Sequence, residues 1–294
     1  MITTPTRKKA TVRLKGAKRD IYYLTPNKDG SVKNFTAHCQ KTYDLLKLFL
    51  EPNATVIDVG ARDGDSLIPL LPILEEGSRI IAFEPEKTEF DFLVQNLDTI
   101  NTLKAQVDYN NFAIGGKTGL RDFIWDTKDR NGGFKTEQIQ RKNVSTCTWD
   151  KNFQVQSFCW GDLEESLRKK MLEASFIKTD TEGSDIEVLT ELLPIINKTR
   201  PFILMEWWPS TEKEMGEFIK ANKYVAMNPT FREIMYELDS RKNYCHDIFL
   251  IPLEKLKEQK CPTCGNLLMT LERHKGTPTE PESGTGFEQP KQSY

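Results

Sequence analysis

Residues 55–64 read TVIDVGARDG: an apolar, β-branched run carrying one aspartate, then a turn punctuated by Gly60 and Gly64. The run from Thr55 to Val59 is short and lacks helical periodicity, which predicts a strand buried on both faces. A buried strand emptying into a glycine turn is how an alternating β/α unit begins. In such sheets, ligands are held beyond the carboxyl ends of the strands. The turn is not a dinucleotide fingerprint, because its glycines lack the G-x-G-x-x-G spacing and Arg62 stands where a pyrophosphate needs close backbone approach. Asp63-Gly64 is also a common turn dipeptide, so an ordinary turn is the competing reading.

The same alternation continues in both directions. Tyr43, Leu46 and Leu50 recur at helical spacing until Glu51-Pro52-Asn53 stops them. Residues 67–74 read as helical, with Pro69 and Pro72 predicting a late start or a kink. Residues 79–83 (RIIAF) form a second strand; Phe90, Leu93, Val94 and Leu97 then mark one face of a helix. Further strands are expected near residues 105–114, 153–160, 175–179, 201–206, 223–227 and 247–251, with helices at 163–172 and 212–221. A helix after the fourth of the core strands opens with Ser184-Asp185-Ile186-Glu187, which has the form of a capping box, and buries Val188, Leu189, Leu192 and Ile196. The polar residues 126–143, containing Gly132-Gly133, read as a lid-like loop inserted in the domain.

The strand ends carry the chemistry. Asp58 would repel a pyrophosphate but suits a ligand with positive charge, such as the sulfonium and ammonium of S-adenosylmethionine. Glu84, at the second strand's exit and 24 residues after Gly60, stands about where an acid accepts both hydroxyls of a ribose. Asp180 and Glu182 lie beyond the strand at 175–179, and Glu206 closes the strand at 201–206. Three carboxylates meeting in one cleft raise one another's pKa toward that of a general base, or bind a divalent cation through oxygen. Asp180 is the expected base or orienting group, with Glu182 and Glu206 in substrate or metal contact. In the plainer reading, Asp180 hydrogen-bonds the donor and Glu182 precedes a helix N-terminus. Lys178 points to the same side as Asp180, His246 is an alternative base, and Trp207 or Trp208 would either stack on a sugar or pack in the core.

Taken together, VIDVGARDGDS (56–66), IIAFEPEKTEFDFLVQNL (80–97), NNFAIGGKTGLRDF (110–123), SFIKTDTEGSDIEVL (175–189) and RPFILMEWW (200–208) resemble the FkbM-type methyltransferase family. The order and spacing hold over residues 51–252, and the IKTDTEG block is the most specific part. The resemblance implies an α/β, Rossmann-like class I methyltransferase with a mostly parallel seven-stranded sheet and helices on both faces. It implies S-adenosylmethionine as donor and a hydroxyl, often of a sugar or glycan, as acceptor. By that resemblance Asp58, Gly60, Ala61 and Gly64 hold the methionine end, Glu84 the ribose and Ala113 the adenine edge. Arg62, Ser66, Pro85 and Asp180 complete the expected donor contacts. The chain departs from the family at Arg62, commonly Asn, and at Asp63, commonly apolar.

Composition bounds the rest. The whole chain, 294 residues with 41 Lys and Arg against 43 Asp and Glu, is no electrostatic sleeve for nucleic acid. The charge is uneven: residues 1–19 hold seven cations and no acid. That basic arm (residues 1–36) is either a solvated tail or a phosphate-docking segment, and it is the one sign favouring an RNA methyltransferase. Residues 37–258 form the expected methyltransferase domain. Cys261 and Cys264, in the segment 259–274, resemble a zinc knuckle, although a solvent-exposed thiol pair, which could also bridge a partner chain, is the competing reading. Residues 275–294, rich in Pro and Gly, are expected to be disordered. Six Cys in so long a chain make no disulfide scaffold, which predicts a reducing, cytoplasmic setting with Cys39, Cys147 and Cys159 as buried apolar residues. No membrane span is expected; a catalytically silent binding module is the rival outside enzymes.

Overall fold

The computed structural model describes residues 8–17, 21–25, 31–100, 105–127, 130–135, 149–229, 233–235, 238–240 and 246–256. Residues 1–253 form one compact unit, to which everything below belongs; residues 254–294 form a second. Cys147, Cys261, Cys264, residues 136–143 of the expected loop, and the polar C-terminal residues lie outside the described set.

In chain order the strands are β1 (Lys8–Val12), β2 (Ile21–Thr25), β3 (Thr55–Val59), β4 (Arg79–Phe83), β5 (Gln106–Asn110), β6 (Ala113–Ile114), β7 (Gly119–Asp126) and β8 (Asn131–Phe134). After them come β9 (Lys151–Phe158), β10 (Phe176–Thr179), β11 (Phe202–Glu206), β12 (Tyr224–Asn228), β13 (Glu233–Met235) and β14 (Asp247–Pro252). Among the described residues the main sheet has eight strands in the order β13-β12-β14-β11-β10-β3-β4-β5. The five from β11 to β5 run parallel, while β14, β12 and β13 join antiparallel. This is the Rossmann-like class I methyltransferase arrangement, with β13 adding an edge strand to the seven expected. β3 and β4 are buried over their last four residues each, so both faces of the sheet centre are covered. Ile57, Ile81, Ile177 and Ile203 pack in one cluster with Val188, Leu189, Leu192 and Ile196, the helical face expected from the sequence. Each such side chain contributes roughly 1.5–3 kcal/mol on burial.

Several expectations change. Residues 67–74 form no α-helix: a 3-10 turn at Asp65–Leu67 leads into further turns. Pro69 and Pro72 lack the amide hydrogens that an α-helix would use there. Residues 126–143 are not one open loop, since β8 within them pairs with β7. Gly132 is needed there, because a Cβ would fall 2.3 Å from the Trp125 ring and 2.6 Å from Phe123. β9, with β6, β7 and β8, makes a separate four-stranded sheet. The basic arm is also no simple tail. β1 pairs with β2, Val12 and Ile21 are buried, the Tyr43 hydroxyl donates to Gly16 O at 3.1 Å, and the following helix already starts at Ser31. The capping box does not form, for the Ser184 side chain makes no cap bond. Glu187 instead accepts from the Gly116 amide at 2.7 Å and from Arg121 at 2.5 Å, tying the small sheet to the helix Asp185–Glu191. Cys39 is buried as expected, whereas Cys159 is only half-buried and its thiol lies 3.1 Å from Asp162 Oδ2. No described helix is long and apolar enough to cross a membrane.

Candidate active site

Three parallel strands bring their ends together. β3 pairs with β4 in a register that sets Val59 beside Phe83, and with β10 in one that sets Asp58 beside Lys178. The chain leaves β3 through Gly60, whose φ of +79° suits glycine, and a Cβ there would fall 2.1 Å from the Asp180 carbonyl oxygen. The amides of Gly60 and Ala61 both donate to Phe83 O at 3.0 Å, so the turn is fastened to the exit of β4. Arg62 holds φ +49° and donates its backbone N–H to Glu84 Oε2 at 2.8 Å. The Glu86 amide donates to Glu84 Oε1 at 2.7 Å. Burial pushes the Glu84 carboxyl up to about 8, against the opposing pull of those two amides.

These ends open into a cavity of about 380 Å³, within the range of small-molecule sites. Gly60, Arg62, Ser66, Glu84, Pro85 and Ala113 line one end of it. Asp58, Ala61 and Gly64 are not among the lining residues. Asp58 is fully buried and works behind the wall: its Oδ2 accepts from Ser66 Oγ at 2.5 Å and its Oδ1 lies 3.7 Å from Lys178 Nζ. Burial raises the Asp58 pKa, with Lys178 and Ser66 opposing. Gly64, at φ +86°, packs toward Leu93, where a Cβ would come within 3.1 Å.

The other end of the cavity is acidic. The β10–β11 register places Thr179 beside Met205, so Asp180 leaves the sheet next to Glu206. Oxygens of Asp180, Glu182 and Glu206 all lie within 4.8 Å of one another, as the sequence predicted. Glu182 sits at φ +53°, a left-handed conformation that costs a non-glycine residue energy. Burial, then the charges of Asp180, Glu182 and Asp185, push Glu206 up to about 10, and its Oε2 is buried with no hydrogen-bond partner. Lys178 Nζ lies 3.3 Å from Asp180. Burial alone would lower the Lys178 pKa, but Asp180, Asp58 and Asp65 outweigh it and the net shift is upward. His246 and Asp247 join the same cavity because Glu206 pairs with Asp247 across β11 and β14. Trp207 and Trp208 are both buried, which favours the packing role for each.

Sequence reasoning missed one wall. Phe123 and Trp125 of β7, Phe134 of β8, and Arg130 between them line the cavity. The one sequence signal for it was Gly132-Gly133, read as a loop marker. Gly132 lies in β8 opposite Trp125, close against its ring.

No curated protein matches the chain at a significant level. Among solved structures it is similar to methyltransferase FkbM from Methylobacillus flagellatus KT, at 16% identity and a TM-score of 0.43, covering 76% of this chain and 55% of that one. The chain therefore spans little more than half of that protein's length. It is also similar to a SAM-dependent O-methyltransferase from Thermotoga maritima, at 10% identity and a TM-score of 0.39, covering 71% of this chain and 63% of the other. A third likeness is to the 16S rRNA N2 G1207 methyltransferase of T. thermophilus, solved with AdoMet and guanosine, at 12% identity and a TM-score of 0.40, covering 83% and 49%. The methyltransferase FkbM domain matches residues 58–244, which take in the glycine turn, Glu84 and the acidic end of the cavity, and the chain belongs to that family.

Proposed function

We propose that this protein is an S-adenosylmethionine-dependent O-methyltransferase acting on a hydroxyl of a sugar or glycan. The observation that carries the reading is one cavity with Glu84 at one end and the three-carboxylate cluster at the other. The donor fits these residues. Glu84 faces the cavity, and a carboxylate has about four acceptor positions, of which backbone amides take two. The remainder match two ribose hydroxyls. Ala113 and Pro85 border the adenine side, and Gly60, Arg62 and Ser66 the methionine side. When bound, S-adenosylmethionine supplies an electrophilic methyl group on a sulfonium.

The chain's own contribution is alignment and proton handling. Asp180, open to the cavity and paired with Lys178, orients the acceptor hydroxyl or takes its proton. Glu206, held protonated by burial and its acidic neighbours, donates a hydrogen bond to an acceptor oxygen while Glu182 accepts one. The same three carboxylates suit a divalent cation bound through oxygen, and the buried, unpartnered Glu206 Oε2 is an atom such an ion would satisfy. Without a bound cation, the carboxylates of this end repel a polyanion. In that form the site favours a neutral polyhydroxy acceptor over an RNA backbone. The thiols of Cys39 and Cys159, free among the described residues, suit a cytoplasmic setting.

The test is transfer of a labelled methyl group from S-adenosylmethionine to panels of glycans and of RNAs, with and without magnesium. Label in a glycan hydroxyl, lost in Asp180→Asn, is the expected result. Label in RNA alone would overturn the acceptor assignment.

A further inference from the structure

Asp63 is wholly buried in the turn after β3. Glu89, in the first turn of the helix Lys87–Ile100, is nearly so. Two neighbouring buried carboxylates carry a steep desolvation cost unless a cation meets both. That cation comes from the other sheet. Arg130, between β7 and β8, places Nη2 3.0 Å from Asp63 Oδ2 and Nε 3.0 Å from Glu89 Oε1, with Nη2 also on Glu89 Oε2. Its side chain is 15% exposed and its backbone is left-handed at φ +58°. Arg62 Nε lies farther off, 3.9 Å from Asp63 Oδ1. The planar guanidinium can bridge two carboxylates, where a lysine ammonium acts as a single point charge.

The contact joins two walls of one cavity. On one side is the turn carrying Gly60, Arg62 and Ser66; on the other is the hairpin whose Phe123, Trp125 and Phe134 line the same space. The far end of the small sheet has its own tie, Arg121 to Glu187, at 2.5 Å and 3.3 Å. Loss of Arg130 therefore removes the charged tie near the hairpin tip while leaving the tie at the far end of the sheet.

We infer that Arg130 is a positioning residue for the methyl donor: by clasping Asp63 and Glu89 it holds the aromatic hairpin against the donor turn, so that the two walls grip the S-adenosyl group together. The inference rests on the methyltransferase reading above and goes beyond it, making the β7–β8 hairpin part of the donor site.

The experiment uses the full chain and S-adenosylhomocysteine. Its dissociation constant is measured by calorimetry, and amide hydrogen exchange over residues 119–135 is followed with and without it. In the wild type the ligand is expected to bind and to slow exchange in the hairpin. Arg130→Met is expected to weaken binding at least tenfold and to lose the ligand-dependent slowing, which a merely structural role would leave in place. Arg130→Lys is expected to fall between the two, and adding Asp63→Asn to Arg130→Met to weaken binding less than twofold further. Binding by Arg130→Met within twofold of wild type, or full ligand-dependent protection of its hairpin, overturns the clasp. If Arg130→Met does not fold, Arg130→Lys decides by the same two readouts. Wild type that fails to bind at millimolar ligand overturns the methyltransferase reading itself, a result distinct from any behaviour of the variants.

Discussion

If Glu84 holds the donor's ribose as proposed, donor binding depends on pH in a definite direction. Its carboxyl is buried, held near 8 by desolvation against the pull of the Glu86 and Arg62 amides. The Arg62 and Glu86 amides already occupy one acceptor position on each oxygen, and protonation turns a second into a donor, so the deprotonated form is the one that accepts both ribose hydroxyls. At pH 7 a group with a pKa of about 8 is ionised in roughly one molecule in ten, which weakens apparent binding about tenfold, or about 1.4 kcal/mol. Each further unit of acid costs another factor of about ten. The assay is calorimetry with S-adenosylhomocysteine between pH 6 and 9, repeated in buffers of different ionisation enthalpy. Affinity is expected to rise with pH up to about 8 and then to level off, with nearly one proton released per ligand bound at pH 7. In Glu84→Gln the affinity is expected to be weaker throughout and the dependence flat. The stability sign runs the other way in the empty protein. The folded state holds this proton more tightly than the unfolded chain, whose carboxyl has the ordinary value of 4.5. Stability is therefore lost as pH rises from about 4.5 to 8, by up to about 5 kcal/mol, and ligand opposes that loss. A wild-type affinity that does not change between pH 6 and 8, without proton release, would refute the assignment of Glu84 to the ribose.

Three other outcomes follow from the geometry. Gly60→Ala must move a Cβ away from the Asp180 carbonyl, 2.1 Å distant, from a left-handed backbone. A loss of about 3 kcal/mol, read as a fall in Tm of roughly 6–12 °C, is expected, and an unchanged Tm would count against the close approach of these strand ends. Glu206→Gln replaces a carboxyl held near 10 with a neutral isostere, so stability at pH 7 without added metal should shift by less than about 1 kcal/mol. If the carboxylate cluster takes a cation, magnesium should raise the wild-type Tm but not that of the variant; equal responses in both would remove Glu206 from any cation site. Gly132→Val pushes its side chain into Trp125 and Phe123 and should weaken S-adenosylhomocysteine binding by spreading the hairpin. Binding equal to wild type would show that this wall does not touch the donor.

What the sequence determined by itself lies within reach of a few neighbouring residues. A β-branched run with a glycine turn after it names a strand and its exit, and helical spacing names Val188, Leu189, Leu192 and Ile196 as a buried face. The alternation of these units then leaves few sheets to choose from, and the acids at the strand exits follow from the same units. The tertiary structure decided whatever depends on partners far along the chain. Strand register set Lys178 beside Asp58 and Asp247 beside Glu206. Packing turned the Asp58 carboxyl behind Ser66, away from the cavity to which the motif alone assigns it. Ser184 and Glu187 have the spacing of a capping box, yet Glu187 bonds to Arg121 and the Gly116 amide, because a guanidinium brought in by the second sheet outcompetes a local turn. Arg130, in a polar stretch with no readable motif, became the counter-ion of Asp63 and Glu89 for the same reason. Local conformation is set by steric and hydrogen-bonding preferences that act over a few residues, whereas the partner of a buried charge is set by which distant segment packing delivers to it.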